Sequence, residues 1–320
     1  MACTEVIIRK MNKVKQNLID ALSTGREPVT GVLVAYQFNR DIAEKIARIL
    51  PFPVQMLDAT RDVSVLEMIN GNYSHVIELY HPAKDGYSIC KQLRNYFWDR
   101  GYKTLSLFDW TEEYLQDDFW GDTDYPKLAA DIAELRKKMH RARRFKITSE
   151  QGTNISFSTE GRRWLDAGGL SKNGSISQMP DGEIYTCPVE ETFNGVIVVD
   201  GTVTRSWIPS KPVRLEFSGG KLIDCSKEFR EYIQGFPEAI KTIGEFAIGL
   251  NPAITTMVGN ISVDEKAAGT VHFALGDSYG LGINKCGCHL DFVVRRPLLH
   301  MEPKIEIPFM NVRELIEESL

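Results

Sequence analysis

The 320-residue sequence has no apolar run long enough to span a bilayer; stretches such as Val32-Leu33-Val34-Ala35 end after a few residues. It also lacks an excess of charge. Lys and Arg number 38 against 43 Asp and Glu, a net charge of −5, so there is no electrostatic footprint for nucleic acid or an anionic membrane. Cysteine is sparse. Cys3, Cys90, Cys187, Cys225, Cys286 and Cys288 are scattered over a long chain, which reads as six reduced thiols rather than a disulfide framework. The first ten residues carry no apolar stretch of the signal-peptide kind, so a cytoplasmic location is expected. Also missing are a GxGxxG turn, a Walker loop, an HExxH helix and a GxSxG elbow. These absences remove the evident nucleotide-binding, single-helix zinc and serine-hydrolase readings.

What is present changes in texture near residue 145. In the first half, short apolar runs at Gly31–Tyr36, Pro53–Leu57, His75–Tyr80 and Thr104–Phe108 alternate with amphipathic segments. Ile42, Ile46, Ile49 and Leu50 follow helical spacing, as do Ile89, Leu93, Tyr96 and Phe97. That alternation predicts an α/β domain over residues 1–145 with a mostly parallel sheet. A last helix with Leu128, Ile132, Leu135 and Met139 on one stripe runs into Arg136, Lys137, Lys138, Arg141, Arg143, Arg144 and Lys146. This basic cluster reads as the solvated end of a linker helix, with the acidic stretch from Asp109 to Asp124 a candidate partner. Residues 146–320 are β-rich and punctuated by Gly, Asn and Asp, with strands expected at 154–158, 183–187, 195–199, 213–217, 221–224, 245–250, 270–275 and 289–294. A short helix is expected near 311–319. The second domain is therefore predicted as α+β and largely antiparallel.

The chemistry-bearing residues gather in that second domain. His289 and Asp291 form His-x-Asp, and residues i and i+2 of a strand share a face. His272 lies on a run of apolar and small residues, Gly269-Thr-Val-His-Phe-Ala-Leu-Gly276. Glu183 and Glu245 each sit within apolar, glycine-bracketed strands, where a carboxylate is costly to bury without a partner. One such acid could be an edge feature. Two acids with two His and an Asp fit a shared cation better, and a thiolate-free set of this kind suits Zn, Mn, Co or Fe(II). It is large enough for two ions, whose usual chemistry is hydrolytic. Tyr279, after the Gly276 turn, reads on its own as rim packing.

Five phrases in order carry a resemblance: Met-Pro-Asp-Gly-Glu-Ile-Tyr-Thr-Cys-Pro (179–188), Gly-Glu-Phe-Ala-Ile-Gly (244–249), Asp-Glu-Lys-Ala-Ala (264–268), His-Phe-Ala-Leu-Gly (272–276) and His-Leu-Asp-Phe (289–292). Together they resemble the aminopeptidase T / aminopeptidase S family of metallopeptidases. The resemblance implies metal ligation by Glu183, Glu245, Glu265, His272, His289 and Asp291, with Glu245 bridging two ions of Zn, Co or Mn. It implies Tyr279 as a catalytic tyrosine and Glu183 as the proton carrier. It further implies a homodimer that removes N-terminal residues from short peptides, using a water that bridges the two ions. A competing resemblance is to the 2,5-dihydroxypyridine dioxygenases, which use one Fe(II). A third reading is a non-catalytic homologue that binds a peptide or partner protein.

Overall fold

In the computed structural model, which describes residues 13–24, 27–59, 63–80, 87–116, 120–171, 177–204 and 207–314, the four apolar runs of the first half become a parallel sheet. Strands β1 (Val32–Tyr36), β2 (Val54–Asp58), β3 (His75–Leu79) and β4 (Lys103–Ser106) are ordered β2-β1-β3-β4. All five residues of β1 and of β3 are buried, as strands covered on both faces must be. The helices are α1 (described over residues 13–22), α2 (Arg40–Ile49), α3 (Tyr87–Asp99) and α4 (Tyr125–Met139). Their expected stripes are the buried ones: Ile42 and Ile46 on α2, Leu93 and Phe97 on α3, and Leu128, Ile132, Leu135 and Met139 on α4. The side chain of Ile89 lies outside the described residues. Among the described residues no helix is long and apolar enough to cross a membrane.

One buried group in this sheet has a testable consequence. His75 is fully buried, with Nδ1 2.8 Å from the Ser74 hydroxyl. Burial, and then the Lys103 ammonium, push it from the ordinary 6.5 down to about 4. The unfolded chain therefore binds one more proton than the folded chain between those values. The contribution is complete above pH 6.5 and is lost as pH falls toward 4, on the order of 3 kcal/mol in all. Urea unfolding at pH 7.5 and pH 4.5 should show this loss in the native protein and a smaller one in His75→Gln; equal losses would disprove it.

The second half builds two further sheets. One has seven strands: β5 (Arg144–Thr148), β6 (Asn154–Ser158), β9 (Asn194–Val199), β10 (Val213–Ser218), β11 (Lys221–Cys225), β15 (Leu298–Glu302) and β16 (Asn311–Glu314). The other orders β14 (His289–Arg295), β13 (Thr270–Gly276), β12 (Ile243–Gly249), β8 (Glu183–Thr186) and β7 (Leu165–Ala167) side by side. Phe145 and Phe157 of the first sheet meet Phe246 and Phe273 of the second, with ring centroids 4.9–6.2 Å apart for the pairs that touch. This aromatic layer is the core of the second half, and edge-to-face packing of such rings adds to the burial of their area. Two short helices, α5 (Lys227–Tyr232) and α6 (Ile261–Asp264), complete the elements. By compactness the chain forms two units, residues 1–129 with 167–181, and residues 130–166 with 182–320.

Two expectations are corrected. The basic cluster is only partly helical: α4 ends at Met139, and Arg144 and Lys146 lie on β5. Arg136 pairs with Asp166 at 3.0 Å, Arg143 with Glu160 at 3.4 Å and Arg144 with Glu302 at 2.5 Å. Apolar Phe145 and Ile147 alternate with these charges and face the core, a period-2 signal hidden by the charge run. Where a helix is expected near 311–319, the first four residues, Asn311–Glu314, are strand β16, parallel to β15. Pairing satisfies backbone groups that β15 would otherwise expose at a sheet edge. Residues 315–320 lie outside the described residues.

Candidate metal centre

Strand β12 alternates along its length. Phe246 and Ile248 enter the aromatic core, so Glu245, Ala247 and Gly249 line the opposite face. Register carries that face across the sheet. Glu183 on β8 stands opposite Gly249, His272 on β13 opposite Ala247, and Asp291 on β14 opposite Ala274. Glu245 is also opposite Ala274, and His289 is opposite Gly276. Every strand-borne donor thus has alanine or glycine across from it on at least one side, with Val293 on the other side of His272, which leaves room for long acids and imidazoles to converge over the sheet.

Glu265 arrives differently, at the end of α6. Its segment crosses directly over Gly249, where a Cβ would overlap the Ala267 carbonyl and lie 2.8 Å from that of Glu265. Only glycine admits this approach. Asn251 N–H donates to the Lys266 carbonyl at 2.9 Å and fixes the crossing. Behind it, buried Asp264 accepts from the Thr202 hydroxyl at 2.5 Å and from the Val258 and Gly259 amides at 2.8 Å.

The six residues expected to ligate metal come together. His272 Nε2 lies 3.3 Å from Glu183 Oε2 and 3.4 Å from Glu245 Oε1. His289 Nε2 lies 3.5 Å from Glu245 Oε2 and 3.1 Å from Asp291 Oδ1. Three donor sets have their atoms within 4.8 Å: Glu183–Glu245–His272, Glu245–His289–Asp291 and Glu265–His272–Asp291. Glu245 belongs to two of them and turns one oxygen toward each imidazole. No cysteine enters these sets, although Cys187, Cys286 and Cys288 flank the ligands in sequence.

The surroundings orient the donors as metal sites require. His289 Nδ1 is 2.7 Å from the Asp277 carbonyl, so its Nε2 is left for the cluster. The Asp291 amide donates to Thr204 Oγ1 at 2.6 Å. Tyr279 is 60% exposed and stacks on His289 with ring centroids 4.7 Å apart. The residue that sequence reasoning missed is Lys266. Its buried ammonium sits 2.6 Å from Glu183 Oε1 and 2.7 Å from Glu265 Oε1. Its signal was the bracketing of a lysine by an acid and two alanines in 264–268.

Charge density perturbs the group as a whole. Burial pulls His272 down, but the Glu245 hydrogen bond and the charges of Glu265, Glu183 and Glu245 outweigh it and hold His272 at about 9. His289 is depressed by burial and raised more by Asp291 and Glu245, to about 10. Burial and the neighbouring Asp291 and Glu183 carboxylates raise Glu265 to about 7 against the pull of Lys266 and His272. Asp291 falls to about 2 because His289 overcomes the cost of burial. Glu183 Oε2 is buried and makes no well-aligned hydrogen bond, with only His272 Nε2 near it at 3.3 Å. A buried acceptor so poorly satisfied, in a pocket of four carboxylates and two imidazoles, is what a cation-binding set presents. The residues fit a divalent metal centre.

Comparison with known proteins agrees in part and in kind. The family model described as thermophilic metalloprotease (M29) matches residues 123–296, a span that holds all six donors and Tyr279. The fold is similar to that of a 2,5-dihydroxypyridine dioxygenase from Pseudomonas putida KT2440, with 16% identity and a TM-score of 0.63 over 92% of this chain and 93% of that one. It is similar as well to wild-type AmpT from Thermus thermophilus, with 14% identity and a TM-score of 0.64 over 91% and 94% of the two chains. At such identities the likeness is one of fold. No curated protein matches the sequence.

Proposed function

The chain belongs to the thermophilic metalloprotease family M29, and from that premise we propose that it is an aminopeptidase that removes N-terminal residues from short peptides. The observation that supports this most is the position of Glu245, shared by two donor sets with one oxygen toward each imidazole. Under this reading Glu183, Glu245, Glu265, His272, His289 and Asp291 hold two divalent ions, Zn, Co or Mn. Such ions polarise the scissile carbonyl and lower the pKa of water enough for attack at neutral pH.

The chain's own groups do the rest. Lys266 pairs with Glu183 Oε1 and orients the carboxylate, which as proton carrier takes a proton from the attacking water and returns it to the leaving amine. The Tyr279 phenol, at the exposed edge of the site, donates a hydrogen bond to the oxyanion that develops on the scissile carbonyl. The Tyr279 ring packs on that of His289, with centroids 4.7 Å apart, which keeps it beside a proposed ligand. The competing mononuclear-iron reading would want two imidazoles and one carboxylate around one ion. Each of the three sets here contains a single imidazole and two carboxylates, which favours hydrolysis.

The test combines metal content with turnover. Protein purified without chelator should carry about two Zn, Mn or Co per chain and hydrolyse members of an aminoacyl p-nitroanilide panel. Tyr279→Phe should retain that metal and lose roughly 10²–10³ in kcat, the usual scale for one oxyanion donor. One iron per chain with oxygen consumption on a small aromatic substrate, or no metal even after soaking, would overturn the proposal.

A further inference from the structure

Tyr279 lies on a connection that would be expected to wander, since it joins β13 to β14 over residues 277–288 and its tip is exposed. It is instead tied down from a distant part of the chain by an ion pair between a buried glutamate and a half-buried arginine. Glu190, on a short 3-10 turn after β8, is 4% exposed and pairs with Arg162. Glu190 Oε1 accepts from the Ile283 amide at 2.7 Å. Arg162 Nη1 donates to the Leu281 carbonyl at 3.0 Å. The two charges therefore grip one acceptor and one donor on either side of Gly282. The approach is so close that a Cβ at Gly282 would overlap both Glu190 Oε1 and Cys187 Sγ.

The loop closes on itself above that grip. The Ser278 hydroxyl donates to the Asn284 carbonyl at 2.8 Å, and the Leu281 amide to the Ser278 carbonyl at 2.8 Å. The Asn284 side chain donates to the Gly276 and Ala239 carbonyls at 2.5 and 2.9 Å. Tyr279 itself is left-handed, with φ 48°, and its amide donates to Asp277 Oδ1 at 2.7 Å. A buried ion pair is a poor device for stability, because desolvation consumes most of its attraction. A pair that satisfies two backbone groups of one loop is a good device for fixing geometry, which an apolar pair could not do.

We infer that the Glu190–Arg162 pair is a positioning element that sets the Tyr279 loop, and with it the phenol, over the donor sets. Neither residue touches those sets; both act through the backbone of residues 281–283. The inference rests on the reading of Tyr279 as the oxyanion donor, and the experiment separates the two.

Glu190→Gln keeps an oxygen for the Ile283 amide but removes the charge that holds Arg162. It should lower kcat on the best p-nitroanilide by about tenfold to a hundredfold, the scale of a small misplacement of a catalytic group, with KM and metal content unchanged. Hydrogen exchange of the segment 278–285 should quicken by roughly tenfold or more, as expected for a local opening. Introduced into Tyr279→Phe, the same change should cost less than about threefold, since a residue that acts through another has nothing left to position. Arg162→Lys, which retains the charge but not the reach to Leu281, should move all three readouts in the same direction by a smaller amount. It serves if Glu190→Gln folds poorly. Unchanged loop exchange, losses that multiply fully in the double variant, or metal lost in step with kcat would each overturn the inference. A fully active Tyr279→Phe also overturns it, and is recognised as failure of the tyrosine reading because loop exchange still changes in Glu190→Gln.

Discussion

Glu245→Gln is expected to abolish turnover, by at least about 10³-fold or roughly 4 kcal/mol of barrier, in a protein that still folds. The glutamate is the one residue that turns a separate oxygen toward each imidazole, on the central strand of a five-stranded sheet, with Oε1 toward His272 and Oε2 toward His289. Glutamine keeps its volume and can offer only one carbonyl oxygen. Metal content should fall from about two ions per chain to one or fewer, measured by elemental analysis on the same sample used for kinetics. The metal-free fold should hardly change, since the substitution removes one of four crowded carboxylates and leaves Ala274 and Ala247 across the strand pair untouched. A non-catalytic scaffold would behave otherwise, losing stability with no turnover to lose. Full metal occupancy with full activity in Glu245→Gln would end the two-ion reading.

Metal affinity is expected to fall at least about 10⁴-fold for the pair of ions between pH 8 and pH 6. In the metal-free protein the surrounding carboxylates, acting against burial, hold His272 at about 9 and His289 at about 10. Both imidazoles are therefore charged across that window, and each must lose its proton to ligate. Two protons displaced over two pH units gives the factor, about tenfold per proton per unit. The sign is fixed: acid weakens binding and alkali strengthens it, until pH passes the imidazole values and the dependence flattens. Glu265, raised to about 7, steepens the acid end by a further proton. Calorimetric titration of metal into stripped protein at pH 7.5, in two buffers of different ionisation enthalpy, should count about two protons released per chain. A count near zero would mean that His272 and His289 are not the ligands.

Much of this was legible in the chain itself. The parallel half announced itself because buried strands are continuous apolar runs and the helices between them keep a 3.6-residue stripe. The donors were legible for a related reason. A carboxylate or imidazole inside a strand of small and apolar residues is too costly to be incidental, and His289-x-Asp291 places two on one face by periodicity alone. Local sequence misread the edges. Arg144 to Lys146 looked like the tail of a basic helix, and residues 311–314 like the start of another, because both belong to strands held by pairing with β15, and in β5 with β6 as well, which no helical spacing reveals.

The sequence alone determined which kinds of atoms are available: four carboxylates, two imidazoles and a tyrosine, borne mostly on strands. Tertiary structure decided which of them meet, because antiparallel register, a property of paired strands and not of either one, sets Glu183 across from Gly249 and within reach of His272, both far along the chain. It also decided the roles of Lys266, Glu190 and Arg162. A lysine among acids and an arginine in a turn are ordinary surface residues by every local measure, and only burial against particular carboxylates and backbone groups makes them parts of a site.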